Sequence, residues 1–280
     1  MTTNLFNHIA SQLKPYYDDR EVKALTRIII EDLLHLSLTK VMAGIEAPIS
    51  PEDQQRLNDT IGRLKTHEPI QYIMGETQFC DLPIGVNPSV LIPRPETEQI
   101  VTIATSLFDD NSDIRLMDAC TGSGCIAIAI KNQRPQWTID ACDISSEAIA
   151  TARANAEINN VNINFSKLDL LSNHFPSTHY DIIVSNPPYV MNKEKATMQP
   201  NVLQYEPHLA LFVADQDPLT FYQALANWGQ QSLYKGGMLL VEINHLLAQQ
   251  TMALFKLNHY AAVTIINDIF NKPRFILCKK

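Results

Sequence analysis

From Asp113 to Lys280, strand-length apolar runs alternate with helix-length segments, and that rhythm admits few architectures. The runs at 114–119, 137–142, 162–167, 181–185, 237–243, 261–266 and 274–279 read as strands. Helical patterns fall near 124–133, 145–159, 219–233 and 246–257. Parallel neighbours need a crossover, usually a helix, so the alternation predicts an α/β fold: a mostly parallel sheet with helices on both faces. The last two runs, joined by 267–273, can instead form an antiparallel hairpin.

The first part of the chain has a different pattern. Residues 4–66 read as helices: Asp18-Asp19 caps a segment from Arg20 to about Ser37, in which Val22, Leu25, Ile29, Leu33 and Leu36 recur at three and four. Ser50-Pro51-Glu52-Asp53 starts another, with a capping serine, a first-turn proline and acid near the positive helix end; it runs to about Thr66. Between Glu68 and Val90 short runs broken by Gly and Pro predict a small hairpin. The expected organisation is a helical domain over 1–67, a β linker over 68–90 and the α/β domain over 91–280.

A hydrophobic content of 45% with 19% charged residues fits a packed globular protein and argues against disorder. The net charge of −8 disfavours a partner held mainly through phosphates. That charge is spread out, −3 over residues 1–80 and −5 over the remainder. Five cysteines (Cys80, Cys120, Cys125, Cys142, Cys278) show no paired metal spacing, and the opening residues lack a basic secretory n-region. No apolar run approaches the ~20 residues of a membrane span. The expectation is a cytoplasmic protein with reduced thiols.

The first strand of the α/β region runs straight into Asp118-Ala119-Cys120-Thr121-Gly122-Ser123-Gly124-Cys125-Ile126-Ala127. Small residues there allow a sharp turn and bring amide N–H groups and a helix start close to a ligand. Gly122-x-Gly124-x-x-Ala127 satisfies the dinucleotide fingerprint, and Asp143 stands where an acid would grip ribose hydroxyls. A nicotinamide dehydrogenase and an S-adenosylmethionine enzyme fit this loop about equally. Asp118 tips the balance, because negative charge before the glycines opposes a pyrophosphate and favours a cationic amino or sulfonium group. Arg115 and Lys131 bracket a stretch without basic residues, so nothing local offsets it.

The fourth strand ends in Asn186-Pro187-Pro188-Tyr189. Two prolines stiffen this stretch, the Asn oxygen and a proline-flanked carbonyl can accept both hydrogens of an –NH2, and the Tyr ring can stack on its plane. The stretch lies at the carboxyl edge of the sheet, where ligands of open α/β folds bind. Such a grip suits methylation of an amide or amino nitrogen; hydride transfer does not need it.

These residues resemble those of the release factor glutamine methyltransferases, which methylate the side-chain amide of the Gln in the Gly-Gly-Gln motif of class I peptide chain release factors. The resemblance covers nearly the whole chain. It rests on Pro69-Ile70-Gln71-Tyr72-Ile73-Met74-Gly75, Leu91-Ile92-Pro93-Arg94-Pro95-Glu96-Thr97-Glu98, Thr121-Gly122-Ser123-Gly124, Asn186-Pro187-Pro188-Tyr189-Val190 and Tyr205-Glu206-Pro207. It implies a seven-stranded, Rossmann-like S-adenosylmethionine-dependent methyltransferase domain preceded by a small helical domain and a β linker. By the same resemblance Cys120, Thr121, Gly122, Ser123 and Gly124 hold the methionine part of S-adenosyl-L-methionine, and Asp143 accepts both ribose hydroxyls. Asp169 and Leu170 contact adenine, Asn186 touches the cofactor and with the Pro187 carbonyl orients the substrate –NH2, and Pro188 and Tyr189 complete its wall. The helical domain is implied to be a second contact surface for the release factor. No metal, membrane or stable nucleic-acid partner is expected.

Three positions depart from the family pattern. Cys120 replaces a usual Gly and fits if its φ is negative; Asp217-Pro218-Leu219 replaces Asp-Gly-Leu; and Asn244 replaces a common Gly, where Asn would tolerate positive φ. Glu242 and His245 are alternative bases or structural residues, and Arg94 is either a substrate contact or a helix-start ion pair. Asn-Pro-Pro-Tyr is shared with enzymes that methylate exocyclic amines of DNA or RNA, which keeps that activity as the alternative. A binding protein that has lost transfer is a third reading, with Cys120 its only hint.

Overall fold

The computed structural model describes residues 5–45, 49–172 and 174–280, and the expectations that touch residues 1–4, 46–48 and 173 lie outside it. The chain divides into two units: the described residues up to Gly75 with Gln199–Tyr205, and Glu76–Met198 with Glu206–Lys280.

The first unit is helical: α1 (Leu5–Leu13), α2 (Asp19–Ile28), α3 (Leu38–Met42), α4 (Pro51–Leu64) and α5 (Ile70–Met74). The Asp18 side chain accepts from the Arg20 and Glu21 N–H groups, and Ser50 accepts from Asp53 ahead of Pro51, so both expected starts form as read. The helix expected to reach Ser37 leaves α geometry at Ile29, where a wider turn over Ile29–Leu33 closes Leu34 N–H onto Ile29 O at 3.0 Å. Adjacent apolar pairs explain the change: Ile29, Ile30, Leu33 and Leu34 are all buried, and one narrow stripe cannot bury both members of each pair. Their partners include Ile9, Leu13, Leu57, Ile61 and Leu64. The later segment of this unit is anchored by Tyr205, whose hydroxyl lies 2.9 Å from the Thr66 carbonyl.

The second unit opens with the hairpin β1 (Glu76–Phe79) and β2 (Leu82–Gly85), then α6 (Glu98–Ser106) after a 3-10 turn over Pro95–Thr97. The alternating region follows as β3 (Arg115–Ala119), α7 (Cys125–Gln133), β4 (Thr138–Asp143), α8 (Ser146–Ile158), β5 (Asn164–Lys167) and β6 (Tyr180–Ser185). A two-residue strand β7 (Val190–Met191) precedes α9 (Pro200–Tyr205, in the first unit) and α10 (His208–Leu211), and pairs with β8 (Phe212–Val213). The chain ends with α11 (Thr220–Ser232), β9 (Leu233–Glu242), α12 (Ala248–Leu257), β10 (Ala262–Asn267) and β11 (Pro273–Lys279).

Seven strands form one sheet in the order β10-β11-β9-β6-β3-β4-β5. β9, β6, β3, β4 and β5 run parallel, while β10 and β11 form the antiparallel hairpin that the short connection allowed. The order reverses at β3, which lies between β4 and β6; crevices for ligands open at such a point. Its register sets Ala119 opposite Cys142 on one side and Ser185 on the other, so the residues after all three strands meet at one edge.

One face of the sheet packs α11 and α12 through Tyr222, Trp228, Phe255 and Tyr260. Gly229 is required there: a Cβ would sit 2.1 Å from the Tyr260 hydroxyl, which donates to Ala226 O. Gly229→Ala is expected to destabilise the protein by about 1–3 kcal/mol, as overpacking does, despite the better helix propensity of Ala. Thermal unfolding of the two proteins checks this; an unchanged midpoint would refute the tight contact.

Candidate active site

Four strand-end loops surround a cavity of ≈ 450 Å³ within the second unit. Cys120, Thr121, Gly122 and Ser123 form its floor, Asp143 and Ile144 one side, Leu168–Leu171 another, and Asn186 with Pro188 the far edge. Arg94 and Thr97 join the wall from the segment before α6, and Pro207, Leu209 and Ala210 from the segment around α10.

The floor has an unusual backbone. Cys120, Gly122 and Gly124 all have positive φ (60°, 55° and 81°), which winds the loop tightly between β3 and α7. The condition under which Cys120 would fit without strain, a negative φ, is therefore not met. Its Cβ is held in the left-handed region, a conformation costly for non-glycine residues and the reason Gly is usual here. The side chain packs against the core, and burial pushes the thiol well above its ordinary range, so it stays neutral. The loop is fixed from several directions. Thr121 N–H donates to Cys142 O, Gly122 N–H to Asp143 Oδ2 at 2.9 Å, and Asn155 Nδ2 to Ser123 O at 2.8 Å. A Cβ on Gly122 would meet nothing within 4 Å, so its absence leaves the backbone open to the cavity.

Two expected contacts lie elsewhere. Gly124 does not line the cavity; its missing Cβ lets α7 approach α8, where that atom would come 3.0 Å from Ala152 Cβ. Asp118 is wholly buried beneath the loop, accepting from Thr121 Oγ1 at 2.6 Å, and is not on the cavity wall. Its expected role beside a cationic ligand is replaced by that of a loop anchor, because a residue at the end of a central strand is covered by the turn that follows it. Burial pushes its carboxyl up to about 7, with the Thr121 hydroxyl opposing. Between about pH 4 and 7 the folded state thus holds a proton that the unfolded chain has released. Stability from this group falls as pH rises through that window and levels above it, by up to about 1.4 kcal/mol per pH unit. Asp118→Asn keeps an acceptor for Thr121 and is expected to flatten this fall. Unfolding midpoints of both proteins at pH 5 and pH 8 test it; parallel pH slopes would overturn the assignment.

Asp143 ends β4 as expected. Its oxygens accept from Gly122 and Ser145 N–H groups at 2.9 and 3.0 Å, leaving further lone pairs toward the cavity. Burial raises its carboxyl pKa, and the backbone donors oppose this. Asp169 lines the cavity while its Oδ1 accepts from Leu171 N–H at 2.9 Å, so it is also a turn acid; Leu170 beside it is buried and lines the same wall.

At the far edge, Asn186 Nδ2 donates to Thr97 Oγ1 at 3.3 Å, and Thr97 Oγ1 donates to Glu242 Oε2 at 2.7 Å. Tyr189 departs from the expected substrate wall: it does not line the cavity, and its hydroxyl donates to Glu242 Oε1 at 2.8 Å. Pro187 likewise lies off the cavity wall, whereas Pro188 is on it. Neither alternative base faces the cavity. Glu242 is buried among these donors, and His245 is exposed beyond β9. Asn244 has φ −67°, not the positive value anticipated; its amide instead donates to Glu194 and to the Tyr189 carbonyl, tethering the turn. Arg94 pairs with Glu206 at 2.5 Å, and Glu206 also accepts from Ile92 N–H. Thr97, Asn155 and Glu206 were missed as site residues. A buried Asn inside an otherwise apolar helix face was the available signal for Asn155; the other two have partners about a hundred residues away.

A seven-stranded sheet with this strand order and a glycine loop under a cavity at its switch point defines a Rossmann-like methyltransferase. The fold is shared with a methyltransferase from Pyrococcus furiosus (TM-score 0.53, 17% identity, 82% of this chain and 99% of that one). It is also shared with the Thermus thermophilus 16S rRNA N2 G1207 methyltransferase in complex with AdoMet and guanosine (TM-score 0.55, 13% identity, 73% and 49%). The family profile of the methyltransferase small domain matches residues 101–208, and that of the PrmC N-terminal domain residues 4–75. Two relatives named release factor glutamine methyltransferase align over almost the full length. The one from Bacteroides thetaiotaomicron is 42% identical over 98% of both chains, and the one from Flavobacterium psychrophilum 37% identical over 98% and 97%. The chain belongs to the release factor glutamine methyltransferase family.

Proposed function

We propose that this enzyme transfers a methyl group from S-adenosyl-L-methionine to the side-chain amide nitrogen of the Gln in the Gly-Gly-Gln motif of class I peptide chain release factors. The observation that carries the reading is the convergence of the Cys120–Ser123 loop, Asp143 and the Asn186–Pro188 turn on a single cavity. The residues fit the cofactor: Gly122 leaves the loop backbone uncovered, Asp143 has acceptor capacity for ribose hydroxyls, and Asp169 and Leu170 offer an acceptor and an apolar face for adenine. When bound, the cofactor supplies an electrophilic methyl on a sulfonium.

A glutamine amide nitrogen is a weak nucleophile because its lone pair is delocalised into the carbonyl. Asn186 Oδ1, on the cavity wall, would accept one amide hydrogen, orient the nitrogen and favour charge building on it. The second hydrogen is given to the Pro187 carbonyl by the family resemblance alone, since Pro187 lies off the wall. Pro188, Leu209 and Ala210 add apolar surface to the cavity wall. Glu242 and His245 are not placed to take the proton, so it leaves to water. In this reading residues 1–67 recognise the release factor, 68–90 link, and 91–280 carry out transfer, in the cytoplasm, where its substrate acts. Among the described residues no helix is long and apolar enough to cross a membrane.

The test is transfer of labelled methyl to purified release factor, beside a Gln→Ala version of its Gly-Gly-Gln motif and a DNA/RNA control. Label on the intact factor alone is expected. Label on nucleic acid alone would move the assignment to the exocyclic-amine alternative, which the net charge of −8 disfavours.

A further inference from the structure

A side-chain amide can sit either way round, and only one orientation of Asn186 presents an acceptor to a substrate –NH2. Nothing in Asn-Pro-Pro-Tyr itself selects it. The selection comes from two side chains on separate segments, Glu242 and Thr97. Glu242, at the end of β9, is 2% exposed, and its two oxygens receive the Thr97 hydroxyl at 2.7 Å and the Tyr189 hydroxyl at 2.8 Å. Thr97, also 2% exposed, then lies 3.3 Å from Asn186 Nδ2.

The proton count gives this chain a direction. An ionised carboxylate only accepts, so the single Thr97 proton points at Glu242. Thr97 therefore offers Asn186 a lone pair, which only the Asn186 –NH2 can answer, and Oδ1 is turned away from Thr97. A neutral Glu242 would permit the reverse, with its own proton on Thr97 and the Thr97 proton on Asn186 Oδ1. The substrate would then meet a donor. Burial raises the Glu242 carboxyl overall, opposed by the Thr97 and Tyr189 hydroxyls and the Arg274 charge. The direction of the chain rests on geometry, since a hydroxyl donates to each of the two Glu242 oxygens and the Asn186 –NH2 faces Thr97 Oγ1.

We propose that Glu242 and Thr97 are positioning residues that set the amide polarity of Asn186, holding its oxygen as the acceptor for the substrate –NH2. Tyr189 shares the same carboxylate, so both ends of the Asn-Pro-Pro-Tyr turn are clamped by one buried acid. The proposal rests on the reading of Asn186 as the substrate-amide acceptor, and the variants below separate the failure of one from that of the other.

The experiment measures kcat and KM for methyl transfer from S-adenosylmethionine to release factor, with full-length wild type, Thr97→Val, Thr97→Ser, Glu242→Gln and Asn186→Ala. Cofactor Kd by calorimetry and the unfolding midpoint accompany each. Thr97→Val keeps the shape and removes the hydroxyl; kcat is expected to fall on the order of 10²-fold, the cost of a misplaced reacting group, with KM and cofactor Kd within about threefold. Thr97→Ser, which restores a hydroxyl, is expected to recover kcat to within about threefold. Glu242→Gln, whose amide can donate as well as accept, is expected to lower kcat about tenfold, and it carries the test if Thr97→Val does not fold. A Thr97→Val/Asn186→Ala double variant is expected to be no slower than Asn186→Ala alone. Wild-type kcat in Thr97→Val or Glu242→Gln, with Asn186→Ala inactive, would overturn the proposal and leave the Asn186 reading standing. Equal losses in Thr97→Val and Thr97→Ser would also overturn it. Wild-type kcat in Asn186→Ala would overturn the reading beneath both.

Discussion

Asn186→Ala is expected to lower the rate of methyl transfer by about 10²–10³-fold, the usual cost of removing a preorganised polar group at a reacting centre. Three observations set the size of that effect. Asn186 lies on the cavity wall with Pro188, on a turn whose backbone two prolines restrict. Its –NH2 is already engaged by Thr97, leaving the oxygen for substrate. Neither of the alternative bases takes over, since Glu242 is buried and His245 lies off the cavity. Cofactor affinity is expected to stay within a few-fold, because the Cys120–Ser123 loop and Asp143 are built independently of the turn. Single-turnover transfer with labelled cofactor, alongside calorimetric binding, separates the two quantities. A variant that methylates at the wild-type rate would remove the amide-grip mechanism.

Asp143→Ala has the opposite signature. The carboxylate would accept two ribose hydroxyls, and hydrogen bonds to a charged group contribute roughly 1.5–3 kcal/mol each. It also holds the loop through Gly122 and the start of α8 through Ser145. Losing both functions is expected to weaken S-adenosylmethionine binding by about 10²–10⁴-fold. With cofactor raised to saturation, kcat is expected to recover far more than in Asn186→Ala. Calorimetric titration of the variant with S-adenosylmethionine reads this directly. A Kd within threefold of wild type would show that Asp143 serves only the loop.

Much of the architecture was legible in local patterns. The helix starts at Asp18 and Ser50 were readable because capping is a short-range interaction between a side chain and N–H groups two or three residues on. The sheet was readable because parallel strands demand helical crossovers, and of the two arrangements left open for the last two strands the structure has the antiparallel hairpin. The break in the helix after Ile28 was not readable, because the run Ile28-Ile29-Ile30 satisfies more than one helical register and only the surrounding core selects among them.

The site divides in the same way. Sequence by itself determined that the glycine loop, Asp143, Asp169 and Asn186 would meet: each follows a strand, and parallel strands deliver their carboxyl ends to one edge. Only the tertiary structure decided which side chains face the ligand and which face inward. It turned Tyr189 and Asp118 into the interior, reduced Gly124 to a packing contact, set Cys120 at positive φ, and brought Thr97 to Glu242 across 145 residues. The physical reason is range. Backbone turns and crossovers are set by neighbours along the chain, whereas the direction of a side chain and the partner of its last proton are set by whatever packing places beside it.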